Sequence, residues 1–73
     1  MKFWIGQKLW ARWDLPEKMA DQNLVMQIPV KIVEIGNGIT VVEDREDRAL
    51  NFRGDGTYTD AEGTLVRLVP RPS

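Results

Sequence analysis

Apolar and polar residues alternate along much of this chain in short runs, and glycine, proline and aspartate punctuate them. Side chains of a strand point alternately to its two faces, so a period of two predicts β structure. The first such run covers Gln7 to Asp14. Leu9, Ala11 and Trp13 share one face of it, which we assign to the core. Trp10 and Arg12 share the other and are expected to face outward.

The strongest local signal is the hairpin from Val30 to Asp44, with Gly36, Asn37 and Gly38 at its tip. Two registers fit. A two-residue Asn37-Gly38 loop sets Glu34 opposite Val41 and Ile32 opposite Glu43. A three-residue loop, with Gly38 left-handed, sets Ile35 opposite Ile39, Val33 opposite Val41, Ile32 opposite Val42 and Lys31 opposite Glu43. The second register matches like with like and forms one opposite-charge pair. Cross-strand pairs set register, so the three-residue loop is the expectation. In either case both faces of the hairpin are apolar. Val33, Ile35, Ile39 and Val41 lie on one face and Val30, Ile32 and Val42 on the other.

The mixed-charge run Glu43 to Arg48 reads as a solvated turn. Ala49 to Arg53 is the next strand, with Leu50 and Phe52 inward. Gly54-Asp55-Gly56 turns the chain, Tyr58 packs just after it, and Thr59 to Gly63 turns again. Thr64 to Val69 is the last strand, ended by Pro70 and Pro72. A longer connection, Leu15 to Gln27, follows the first strand. Asp14, Pro16 and Glu17 have the spacing of a cap, so one helical turn at most is expected there, with Met19 and Leu24 anchoring the loop. Five short antiparallel strands with one long first loop predict an all-β fold, a small Src-homology-3-like barrel forming a single domain. The runner-up is a five-stranded oligonucleotide-binding barrel. That fold usually carries a helix between strands three and four, and the Asp44 to Arg48 turn leaves no room for one.

Three short motifs add a resemblance. Phe3-x-x-Gly6-Gln7-Lys8-Leu9 opens the chain, Ile28-Pro29-Val30-Lys31-Ile32 enters the hairpin, and Phe52-x-x-Asp55-Gly56-x-Tyr58-Thr59 precedes Leu65-Val66. Together they resemble small Src-homology-3-like proteins of phages, prophages and other mobile elements. The likeness implies that fold and a mobile-element origin, and it carries no catalytic or binding residues with it. The long Leu15 to Gln27 loop and the tryptophan-rich start depart from the shorter pattern of that group.

Composition narrows the chemistry. With 73 residues the chain is near the lower end of sizes that fold unaided, where disulfides, a metal or a partner subunit usually help. It has no cysteine and no histidine, which removes disulfides, zinc-type sites, thiol chemistry and the common triads. Self-association is the aid that remains. Ten basic and eleven acidic residues give a net charge of −1, neither the basic excess of a phosphate-neutralising protein nor the acidic excess of a nucleic-acid mimic. The apolar run in Met1 to Gly6 is too short for a signal peptide or membrane span, so the expected compartment is the cytoplasm.

Asp55 with Asp60 or Glu62 has the makings of an acid–base pair, and the same residues distantly echo a calcium loop. Aspartate in a glycine-punctuated turn is more simply explained by turn geometry. Arg53-Gly54-Asp55 matches an adhesion tripeptide by coincidence. No cofactor, metal or catalytic role is expected.

The reading is then a non-catalytic interaction module that binds a protein partner or itself, most simply as a homodimer. The candidate surface is Trp10, Arg12, Met19, Leu24, Ile32 and Val42, with Val30, Ile32 and Val42 as an apolar face left over outside the barrel core. Trp10 is either an interface anchor or packed under the long loop or the Phe3-Trp4 segment. One alternative is a nucleic-acid or nucleotide-binding barrel, with Arg12, Arg48, Arg53 and Arg67 on phosphates. Another is an oligomer that sequesters a small signalling molecule.

Overall fold

The computed structural model describes residues 2–14 and 26–71. Among these the chain is all-β, with strands β1 (Lys8–Trp13), β2 (Met26–Gly36), β3 (Ile39–Glu43), β4 (Ala49–Arg53), β5 (Thr57–Thr59) and β6 (Leu65–Pro70). They form one antiparallel sheet in the order β4-β3-β2-β1-β6-β5, curled until it is nearly a closed barrel. The five expected strands are present. The sixth, β5, was expected as a packed turn residue, Tyr58, and is three residues long. It pairs with β6 through Thr57–Arg67, Tyr58–Val66 and Thr59–Leu65. β2 also starts earlier than expected, because Met26 and Gln27 pair with Trp13 and Arg12. The helical turn expected after Asp14 lies outside the described residues. Asp14 itself donates its backbone N–H to the Leu65 carbonyl.

The hairpin corrects the sequence reading in one respect. At the tip Gly36 pairs with Ile39, Ile35 with Thr40 and Glu34 with Val41, so the loop has two residues, not three. Asn37 (φ 53°) and Gly38 (φ 75°) both occupy the left-handed region, as a primed two-residue turn demands. At the base, however, Ile32 pairs with Val42 and Lys31 with Glu43, the register expected from charge and apolar matching. A bulge between Ile32 and Glu34 absorbs the difference, one extra residue in β2.

The core sits between Leu9 and Ala11 of β1, Val30 and Ile32 of β2, Val42 of β3, Phe52 of β4, and Val66 and Leu68 of β6. Trp13 packs against it, as expected, with Phe3, Ile28, Leu50 and Tyr58. Ile32 and Val42, expected on a spare outer face, are fully buried. The cause is long-range pairing. Val30 stands opposite Leu9, and directly opposed residues share a face, so the side of β2 that carries Val30 and Ile32 turns inward with Leu9.

Two contacts finish the closure. The Phe52 ring on β4 meets the Tyr58 ring on β5 edge-on at 4.8 Å between centroids, bridging the seam between the two outermost strands. At the hairpin end, the Gly6 N–H donates to the Ile32 carbonyl (2.7 Å), and the Ile32 N–H donates to Gln7 (3.0 Å). The segment then crosses to place the Phe3 ring over Gly56.

The turns are built by aspartates. Asp44 Oδ1 accepts from the backbone N–H of Glu46 (2.8 Å) and Arg48 (3.1 Å). Asp55 Oδ1 accepts from Thr57 N–H (3.0 Å) and its hydroxyl (2.7 Å). Asp60 Oδ1 accepts from Glu62 and Thr64 N–H (both 2.9 Å). Each carboxylate therefore serves its own turn. The backbone N–H of Arg48 holds the Asp44 carboxyl below its usual value, and the Thr57 hydroxyl does the same for Asp55. A carboxyl lowered on folding contributes stability that is complete above about pH 4 and is lost as the pH falls through the lowered value. The melting temperature is expected to drop in that acid range. The double replacement Asp44→Asn and Asp55→Asn, which keeps the Oδ1 acceptors of both turns, should flatten the drop. An unchanged acid profile in the double variant would refute this account.

Candidate functional site

Trp10 does lie on the outer side of β1, but it is half-buried. Part of its cover comes from a residue near the end of the described chain, and the long loop lies outside the described residues. The Arg71 guanidinium lies 5.3 Å from the ring centroid, a cation–π contact. Strand pairing explains the meeting. Trp10 faces Pro29 across β2 and Val69 across β6, which brings the residues after Val69 alongside. Arg71 also donates from Nη2 to the Val30 carbonyl at 3.4 Å. Sequence reasoning overlooked Arg71 because it stands among prolines, beyond the last expected strand. The only available signal was the register of β6 against β1.

The other candidate residues are scattered. Arg12 is exposed, opposite Gln27 and Arg67. Ile32 and Val42 belong to the core, so they form no surface. Met19 and Leu24 lie outside the described residues. Of the four arginines considered for phosphate contact, Arg12 and Arg67 are cross-strand neighbours and the other two stand on other segments. Arg67 pairs with Asp14 at 2.9 Å, and Arg48 pairs with Asp44 (3.1 Å) and Glu46 (3.3 Å). Arg53 stands on β4, opposite Ile39. Asp55 and Asp60 each accept backbone N–H groups of their own turn. Among the described residues, no three histidine, cysteine, aspartate or glutamate side chains come together where a metal ion could sit. No helix among them is long and apolar enough to cross a membrane.

Several large apolar side chains are left in solvent. Ile39 is 45% exposed and Ile35 42%, while Trp4 and Ile5, in the turn hydrogen-bonded to β2, are 58% and 64% exposed. On the outer face of β3, Ile39 and half-buried Val41 stand next to each other. Glu34 of β2 flanks Val41 and Arg53 of β4 flanks Ile39, one charge at each end of a diagonal. Among the described residues neither charge has an ion-pair partner. A depression of about 350 Å³ adjoins the apolar pair, lined by Glu34, Gly36, Asn37, Ile39, Val41 and Asn51. Ile39 and Val41 were legible in the sequence as one apolar face. That this face, and not the Ile32 and Val42 face, turns outward was not.

No family model matches the chain, and neither a curated protein nor a solved structure matches it.

Proposed function

We propose that this protein is a non-catalytic interaction module that pairs with a second copy of itself through the outer face of β3. The observation that carries the reading is the diagonal of Glu34, Val41, Ile39 and Arg53. A two-fold contact presents the same patch from both copies. With its axis between Ile39 and Val41, it sets Glu34 of one copy against Arg53 of the other, twice, and covers the apolar pair between them. Isolated surface hydrophobes are ordinary, but a group flanked by complementary charges fits an interface. Trp10, held under Arg71, has less to offer a partner.

The Src-homology-3-like reading of the barrel is part of this proposal. Strand order β4-β3-β2-β1-β6, with the longest connection between β1 and β2, supports it. The mobile-element origin and the role as an accessory protein rest on the motif resemblance alone, and the cytoplasmic setting on the short apolar run at Met1 to Gly6.

Sedimentation velocity at tens of micromolar tests the pairing. The expected species is twice the 8.4 kDa chain mass. Ile39→Asp, at an exposed position, should shift it to the monomer while leaving the β-sheet circular dichroism intact. A wild-type monomer across that range would overturn the proposal.

A further inference from the structure

We infer that a second site, on the opposite end of the sheet's outer face, binds a phosphoryl group. It lies where β1, β2 and the end of β6 meet, away from the β3 patch, and it is independent of self-association. Lys8 and Lys31 stand directly opposite each other across β1 and β2. Like charges in directly opposed positions repel, and a sheet normally avoids them. The register that pairs Leu9 with Pro70 brings Arg71 next in the same row, so three cations follow one another across three adjacent segments. Arg45, from the turn after β3, completes the ring around a groove of about 240 Å³ floored by Pro29 and Val30.

Two carboxylates line the far wall, Glu43 and Asp44. Asp44 is already engaged, accepting from Glu46, from the Arg48 backbone and from the Arg48 side chain. That leaves Glu43, directly opposite Lys31 across β2 and β3, against four cations, none of which lies within ion-pair distance of a carboxylate among the described residues. The near-zero charge of the whole chain hides this local excess.

Arg71 behaves as a built element. The Trp10 ring supports its guanidinium from one side and the Val30 carbonyl accepts from Nη2. Its Nε is buried and has no acceptor among the described residues. A buried charged donor without an acceptor is costly, and guanidinium groups fixed in this way match oxyanions. A single carboxylate would leave most of the positive charge unanswered. A phosphoryl group presents several oxygens and up to two charges, which Lys8, Lys31 and Arg71 can approach from separate strands. The groove is open and shallow, and Trp10 has its ring covered, so no base-stacking surface accompanies the cations. The ligand class is therefore a small phosphate ester or pyrophosphate, not a nucleic-acid strand.

The test is a titration of the ¹⁵N-labelled protein with pyrophosphate at constant ionic strength, with sodium chloride as the control. Saturable amide shifts confined to Lys8, Lys31, Glu43 to Arg45 and Arg71 are expected. Lys31→Gln and Arg71→Gln should each weaken the binding about tenfold, the worth of one charge-assisted hydrogen bond. Shifts that grow linearly without saturation, that chloride reproduces, or that survive both substitutions would overturn the site. A parallel titration with a ten-residue oligothymidylate distinguishes the source of the phosphate. Binding more than tenfold tighter than pyrophosphate would overturn the small-ligand assignment in favour of a nucleic-acid backbone.

Discussion

Phe52→Ala is expected to remove a large share of the domain's stability. The ring is 1% exposed, is the largest wholly buried side chain, and meets Tyr58 edge-on across the seam between β4 and β5. Deleting a buried phenylalanine costs about 3–5 kcal/mol, while a domain of this length holds on the order of 5–10 kcal/mol. The loss is not confined to volume. Neighbouring strands elsewhere in the sheet are joined by hydrogen-bond ladders, whereas β4 and β5 are its two edges. The aromatic pair is thus a principal tie at the place where the ladder does not close. Phe52→Leu should cost about 1–1.5 kcal/mol, because most of the volume is kept. Urea unfolding followed by tryptophan fluorescence measures both. A Phe52→Ala variant within about 1 kcal/mol of wild type would show that the seam is held by something else.

The second large effect is expected at Gly56. This residue has φ +85° and is buried under Phe3, and a Cβ placed on it would stand 2.6 Å from Phe3 Cζ. Gly56→Val therefore meets two penalties together, a left-handed conformation disfavoured for a β-branched residue and displacement of the Phe3 ring. The sum is about 2–4 kcal/mol. The two parts separate experimentally. Combining Gly56→Val with Phe3→Ala removes the collision and leaves the backbone strain, so the double variant should lose less than the sum of the single ones. Gly36→Ala is the control, since open space surrounds it and its φ is not positive, and it should change stability by about 0.5 kcal/mol or less. Strict additivity in the double variant would refute the packing of Phe3 on Gly56.

Much of the fold was legible because local rules agreed with long-range ones. Leu9 and Ala11 alternate with Trp10 and Arg12, and the structure buries the first pair. Phe52 was expected inward and is inward. What escaped the sequence did so for identifiable physical reasons. β5 has three residues, too few for a period of two to register. The hairpin is apolar on both faces, so hydrophobicity could not choose between them. The choice was made by Val30 pairing with Leu9, twenty-one positions earlier in the chain. Arg71 meets Trp10 only through the pairing of β6 with β1. The candidate sites follow the same division. Ile39 and Val41 could be read as a face, whereas the Lys8, Lys31 and Arg71 row belongs to no segment of the sequence and exists only in the folded sheet.

The bulge in β2 has a consequence for how such a chain can change over generations. Two registers are spliced there, one dictated by Asn37-Gly38 at the tip and one by Lys31 and Glu43 at the base. The splice works like an expansion joint. A change in the length or sequence of the tip alters the pairing of Glu34, Ile35 and Gly36 with Val41, Thr40 and Ile39, while Ile32 and Val42 remain seated in the core. The outward end of the hairpin, the part argued above to meet a second copy, is thereby uncoupled from the part that holds the barrel together. Selection can rework contact specificity there without reopening the problem of folding.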